Sequence, residues 1–123
     1  MSWLFGSKDK AESINWEQLN SLDQINDYKQ LSNKRTIVFF KHSTRCSISS
    51  MAKSRFERDW NYDESEITPI YLDLISHRDI SNALAEQFNV THQSPQIIVV
   101  KNGKAVFNTS HNMIDANKLK DYI

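Results

Sequence analysis

The sequence holds one cysteine, two prolines and two glycines among 123 residues. A single thiol, Cys46, cannot close an internal disulfide. That excludes a secreted scaffold stapled by bridges and makes a reducing cytosol the expected compartment. So little proline and glycine excludes collagen-like and low-complexity chains. Neither charge is in excess: fifteen Lys and Arg stand against fifteen Asp and Glu, so phosphate neutralisation has no net-charge basis and no nucleic-acid partner is expected. Long hydrophobic runs are missing as well. Trp3-Leu4-Phe5 turns polar at once, far short of an export-signal core or of the about 20 apolar residues of a membrane span, so neither is expected.

What is present suits one packed core. The chain is 39% hydrophobic, and a chain of this length buries roughly two thirds of its unfolded surface. No repeat or linker divides it, so one domain is expected over residues 13–123 after a loosely ordered tail of residues 1–12.

Periodicity supplies the elements. A short strand is expected near Trp16 to Leu19. Ser21 and Gln24 then form a capping-box pair opening a helix with Leu22, Ile25, Tyr28 and Leu31 on one side. Thr36 to Phe40 is a continuous apolar, β-rich run, the pattern of a strand covered on both faces. A polar turn is read at Lys41 to Arg45. After it, Ile48, Met51, Ala52, Phe56 and Trp60 recur at spacings of three and four, giving an amphipathic helix that starts near Cys46. Ile70 to Ile75 reads as a second buried strand, and Ser76 with Asp79 as the start of a helix carrying Ile80, Ala83, Leu84 and Phe88. Two apolar runs, Ile97 to Val100 and Ala105 to Phe107, flank Asn102-Gly103, the strongest short hairpin signal. A short last helix is expected from Asp115 to Ile123, with Leu119, Tyr122 and Ile123 inward. The order βαβαβαββα implies an α/β fold, a mixed central sheet with helices on both faces and a C-terminal β-hairpin plus helix. Ligands of such sheets sit beyond the carboxyl ends of the central strands, here at the turn from Lys41 to Cys46.

A lone cysteine is often a small buried hydrophobe. Cys46, however, lies about 120° from the mean direction of the apolar stripe following it, at about 100° per residue, which places it at the rim. A thiol at a helix N-terminus faces unpaired backbone N–H groups and the positive end of the dipole, which favour the nucleophilic thiolate. Arg45 adds charge attraction, whereas Lys53, Arg55 and Arg58 read as solvated helix surface. Ser49, three residues after Cys46, stands where a dithiol oxidoreductase has its second cysteine. It cannot resolve a mixed disulfide, but it can hydrogen-bond the thiolate. Trp16, Trp60, Tyr71 and Phe107 read as core. His42, His77, His92 and His111 have no zinc-ligand spacing among themselves or with Cys46, so no metal site is expected.

The stretch Ser94-Pro95-Gln96-Ile-Ile-Val-Val-Lys-Asn-Gly103 resembles the thioredoxin-like segment in which a cis-proline precedes an apolar strand and a Lys-Asn-Gly turn. The likeness extends from about Trp16 onward. More narrowly, Thr44-Arg45-Cys46-Ser47-Ile48-Ser49 with His92-Gln93-Ser94-Pro95 resembles the monothiol bacilliredoxins, the YtxJ family of the bacillithiol system. That resemblance implies a thioredoxin-like fold, a cis Ser94–Pro95 peptide and a cytoplasmic monothiol thiol-disulfide oxidoreductase. Cys46, helped by Ser49 and Arg45, would remove bacillithiol from protein mixed disulfides, with Thr44, His92, Ser94 and Pro95 lining the substrate site. It implies bacillithiol as co-substrate, no tightly bound cofactor, bacillithiolated proteins as partners and a monomer. Two departures from ordinary thioredoxins stand out: Arg45 replaces the usual tryptophan before the cysteine, and Phe40 stands where a buried acid is common. An iron–sulfur carrier bridging two chains through Cys46 and external thiols, or a non-catalytic thioredoxin-like binding module, are the alternatives.

Overall fold

The computed structural model describes residues 13–123; the tail expected over residues 1–12 lies outside the described residues. The elements are β1 (Glu17–Gln18), α1 (Leu22–Leu31), β2 (Thr36–His42), α2 (Ser47–Arg58), β3 (Ile67–Asp73), α3 (Arg78–Gln87), β4 (Gln96–Lys101) and β5 (Lys104–Ser110). Two 3-10 segments, His111–Met113 and Ala116–Tyr122, close the chain, the second standing where a short helix was expected. The sheet runs β1-β3-β2-β4-β5, parallel among the first three strands and antiparallel from β2 through β4 to β5.

β2 lies at the centre, and every one of its residues is buried. Strand side chains alternate between faces, so Ile37 and Phe39 enter one core and Val38 and Phe40 the other. The first core is completed by Ile25 and Tyr28 of α1 and by Ile80 and Leu84 of α3. The second is completed by Ala52 and Phe56 of α2 with Trp60, Ile114 and Leu119. Each large apolar side chain so buried contributes roughly 1.5–3 kcal/mol. Helices therefore cover both faces, as expected.

Local chemistry sets the boundaries. The capping box of Ser21 and Gln24 opens α1, with Gln24 Oε1 accepting from Ser21 N–H at 3.0 Å. Leu22, however, is exposed rather than on the inner face. Asn102 and Gly103 both take positive φ, 52° and 78°, which is what the two-residue hairpin demands. The Ser94–Pro95 peptide is cis.

Three element readings need correction. β3 begins at Ile67 and includes Pro69. Proline, lacking an N–H, reads as a strand breaker, but β1 pairs only with Ile70 and Tyr71 and so asks no hydrogen bond of Pro69. α3 is capped by His77, not Ser76, because the Ser76 hydroxyl donates to Asp73 Oδ2 at 3.0 Å. In the last segment Leu119 is buried and Tyr122 stacks on Phe107, but Ile123 is exposed.

Candidate thiol site

β2 does not end at Phe40. Lys41 and His42 continue it, and both are buried, with 0% and 6% of their surface exposed. The polar turn expected from Lys41 therefore starts at Ser43. Alternation sends the two side chains to opposite faces: His42 reaches Ser49 on α2, and Lys41 reaches His92, in the loop that follows α3.

On the α2 face a chain of hydrogen bonds closes the turn that carries the thiol. His42 Nδ1 lies 2.7 Å from Ser49 Oγ, and Ser43 N–H donates to the same hydroxyl oxygen at 3.0 Å. Cys46 N–H donates to the Ser43 carbonyl at 3.1 Å, and Ser50 N–H donates to the Cys46 carbonyl at 3.0 Å, the first bond of the helix ladder. Cys46 is thus the N-cap of α2, half-buried, with extended backbone at φ −108° and ψ 121°. The amides of Ser47, Ile48 and Ser49 precede that first ladder bond and surround the N-cap position with donors that have no intrahelical acceptor.

Two expectations about this helix change. Ile48 and Met51 are exposed, at 59% and 67%, while Ser49, Ala52 and Phe56 form the buried face. Cys46 does lie at the rim, but it is placed there as the N-cap, not by opposition to an Ile48–Met51 stripe. Ser49, expected to reach the thiolate, is engaged by His42 and Ser43 instead. Burial is the main reason the His42 imidazole is held below its usual pKa. Lys53 adds to that effect, while Asp73 and Glu57 oppose it. The ring is therefore neutral at pH 7.

Lys53 is not solvated surface. Its ammonium donates to Glu57 Oε2 at 2.7 Å and lies over the rings of Trp16 and Tyr71, while Trp16 Nε1–H donates to the same carboxylate oxygen at 2.7 Å. Burial pushes the Glu57 carboxyl up, but the bonds from Lys53 and Trp16 outweigh it and leave the group below its usual range. Arg55 ties α2 to the Ile114 carbonyl at 3.2 Å, and Arg58 is exposed.

The proline loop meets the same end of the sheet. Lys41 pairs with Gln96 across the β2–β4 ladder, so the next residue on each strand brings Pro95 alongside His42, four residues before Cys46. Pro95 is buried, Ser94 half-buried, and the Pro95 carbonyl accepts from His111 N–H at 3.1 Å. Thr44 and Arg45 are exposed, and among the described residues the Arg45 guanidinium has no ion-pair partner. His92, expected near the thiol, has its Nδ1 at 2.7 Å from Lys41 Nζ. The residue is exposed overall, but partial desolvation of the ring lowers its pKa, helped by the charges of Lys41 and Arg78. Lys41 itself is lowered by burial to about 8. The Lys41–His92 pair was not legible in the sequence; the one signal was a charged residue directly following an apolar strand.

Among the described residues no group of three or more His, Cys, Asp or Glu side chains is placed to hold a metal ion. No helix among them is long and apolar enough to cross a membrane. Chemically, the site offers one sulfur nucleophile in a donor-rich turn, an exposed cation next to it, and no second thiol.

A family model described as monothiol bacilliredoxin BrxC matches residues 17–119. A solved structure described as an oxidoreductase with a thioredoxin fold is 32% identical, with a TM-score of 0.73 over 86% of this chain and 91% of that one. The thioredoxin Mala s 13 of Malassezia sympodialis is 19% identical, with a TM-score of 0.63 over 89% of this chain and 88% of its own. Fasciola hepatica thioredoxin is 18% identical, with a TM-score of 0.62 over 87% and 95%. The last two likenesses bear on the fold, which is thioredoxin-like.

Proposed function

Because the chain belongs to the monothiol bacilliredoxin family, we propose that Cys46 removes bacillithiol from mixed disulfides with proteins. The chain is a thiol redox protein, and the observation that carries the finer reading is that its one thiol belongs to the N-cap residue of α2, with no second cysteine anywhere in the sequence. The Cys46 thiolate attacks the bacillithiol sulfur of the mixed disulfide. A Cys46–bacillithiol disulfide forms, the protein–bacillithiol bond breaks, and the protein leaves as thiolate and takes a proton from water. A second small thiolate then attacks the adduct and leaves as a disulfide with bacillithiol, restoring Cys46. Each exchange moves one disulfide, so electrons balance without a resident cofactor.

The surroundings suit both halves of the substrate. Arg45 presents a planar fork of donors that can bind the malate carboxylates of bacillithiol in bidentate fashion. Exposed Ile48 and Met51, with Met113 on the turn after β5, offer apolar surface to the protein half. The Ser94 main chain offers strand-like pairing to an extended segment. The reaction is placed in the cytoplasm, in a monomer.

The test is release of a bacillithiolated protein's thiol by the wild-type chain and by Cys46→Ser. Loss of release in the variant supports the reading; retained release overturns it. Ser49→Cys should permit an internal disulfide and divert the cycle to dithiol chemistry.

A further inference from the structure

The bond between His42 and Ser49 does more than satisfy two buried groups, because Ser49 is the hinge of the thiol turn. Its oxygen has two acceptor sites and one proton. Ser43 N–H occupies one acceptor site. With a neutral ring whose Nδ1 carries no proton, the hydroxyl donates to His42, and both Ser49 and the ring nitrogen are satisfied. With a protonated ring, Nδ1–H becomes a donor, the Ser49 oxygen accepts twice, and its own proton must turn elsewhere. Ser43, whose N–H binds Ser49, accepts the Cys46 N–H on its carbonyl, so the clamp reaches the residue that carries the thiol.

We propose that His42 is a positioning residue for Cys46 acting through Ser49: the neutral ring accepts the Ser49 proton and completes the clamp on Ser43, whose carbonyl holds the Cys46 N–H, and a protonated ring breaks that arrangement and loosens the turn. The proposal rests on Cys46 being the working nucleophile. Among the described residues, four charged or titratable groups face His42. Lys53 and Glu57 approach from α2, Tyr71 and Asp73 from β3, and the ring contact to Tyr71 is 5.8 Å between centroids. Of these, Lys53 opposes protonation and the two carboxylates favour it. Burial, the largest influence, keeps the transition on the acid side of the ordinary histidine range.

The experiment measures the rate at which iodoacetamide alkylates Cys46, forming a carbon–sulfur bond and expelling iodide, from pH 4.5 to 9, in place of the proposed physiological transfer. Should bacillithiol prove the wrong thiol, this readout still reports on His42. The wild type is expected to show an inflection on the acid side, where the rate falls more steeply than one thiol ionisation dictates. His42→Asn keeps an acceptor at the Nδ1 position but cannot titrate. It should restore most of the rate at pH 7.5 and lose the inflection. His42→Leu and Ser49→Ala should each slow alkylation at pH 7.5 by a factor of about three to ten, the range expected for one hydrogen bond. The double variant should be no slower than either, because both remove the same link. Identical pH profiles in wild type and His42→Asn, or multiplicative losses in the double variant, would overturn the proposal. Far-ultraviolet circular dichroism of each variant identifies any that fails to fold, and the His42→Asn comparison then decides.

Discussion

Lys41 and His42 are consecutive in one strand, both buried, and each has a neutral side chain as its hydrogen-bond partner, yet their consequences for the protein are opposite. His42 faces α2, and its bond to Ser49 locks the turn that holds Cys46. Lys41 faces the α1 and α3 side, where its ammonium meets the neutral ring of His92 and, among the described residues, no acidic partner. An imidazole can be buried uncharged at pH 7; an ammonium must either lose its proton or remain a poorly solvated charge. One polar residue therefore supports the site, and the other stores a penalty on the far side of the sheet. The strand's period of two is what separates them.

The largest effect expected is on the α2 side. Cys46→Ser should abolish thiol transfer, since a hydroxyl is a far poorer nucleophile than a thiolate at neutral pH. Because serine is a good N-cap, the thermal midpoint should stay the same or rise. A fall in the midpoint would show that the sulfur has a packing role that the fold does not reveal.

The far side should respond in stability instead. Holding Lys41 at about 8 instead of 10.5 disfavours the folded ammonium. Allowing for screening through the exposed His92, the penalty is on the order of 1–2 kcal/mol. The sign follows from linkage: between about 8 and 10.5 the unfolded chain binds more protons, so the wild type gains stability as pH rises through that window. Lys41→Met should thus be more stable than wild type at pH 7, and the difference should shrink towards pH 10.5, as read by urea unfolding at both values. A less stable variant at pH 7 would mean that the Lys41–His92 bond outweighs the desolvation, and the contrast between the two faces would fail.

The smallest effect concerns Arg45. An exposed contact to a carboxylate is worth roughly 0.5–1.5 kcal/mol, so Arg45→Ala should slow exchange with bacillithiol disulfides about two- to ten-fold and exchange with a neutral thiol such as 2-mercaptoethanol less. Equal slowing of both thiols would mean that Arg45 acts only on the thiolate. Added salt should narrow the wild-type preference.

The same contrast explains what the sequence made legible. The element order, the central strand and the Asn102-Gly103 hairpin could be read because they depend on local periodicity and turn chemistry. Cys46 could be placed at a helix start for the same reason. Lys41 and His42 read as turn because polar residues usually end a strand, and their burial depends on partners the local pattern does not show, His92 lying 51 residues away. Apolar spacing does not pick out the inner face of α2 because that face contains Ser49 and Lys53, polar groups satisfied by His42 and Glu57. A hydrophobic pattern selects Ile48 and Met51 in their place, and these are exposed. Satisfied buried polar groups are invisible to a pattern that counts only apolar ones.

The most direct test of the account is the intact mass of the protein after brief mixing with an equimolar bacillithiolated protein at pH 7.5, followed by an acid quench. The account predicts a mass increase of one bacillithiol on Cys46, none on Cys46→Ser, and a matching amount of free thiol on the substrate protein. If the substrate protein itself is found disulfide-linked to Cys46, or no adduct forms while the thiol stays accessible to iodoacetamide, Cys46 does not take the small thiol and the proposed reaction is contradicted.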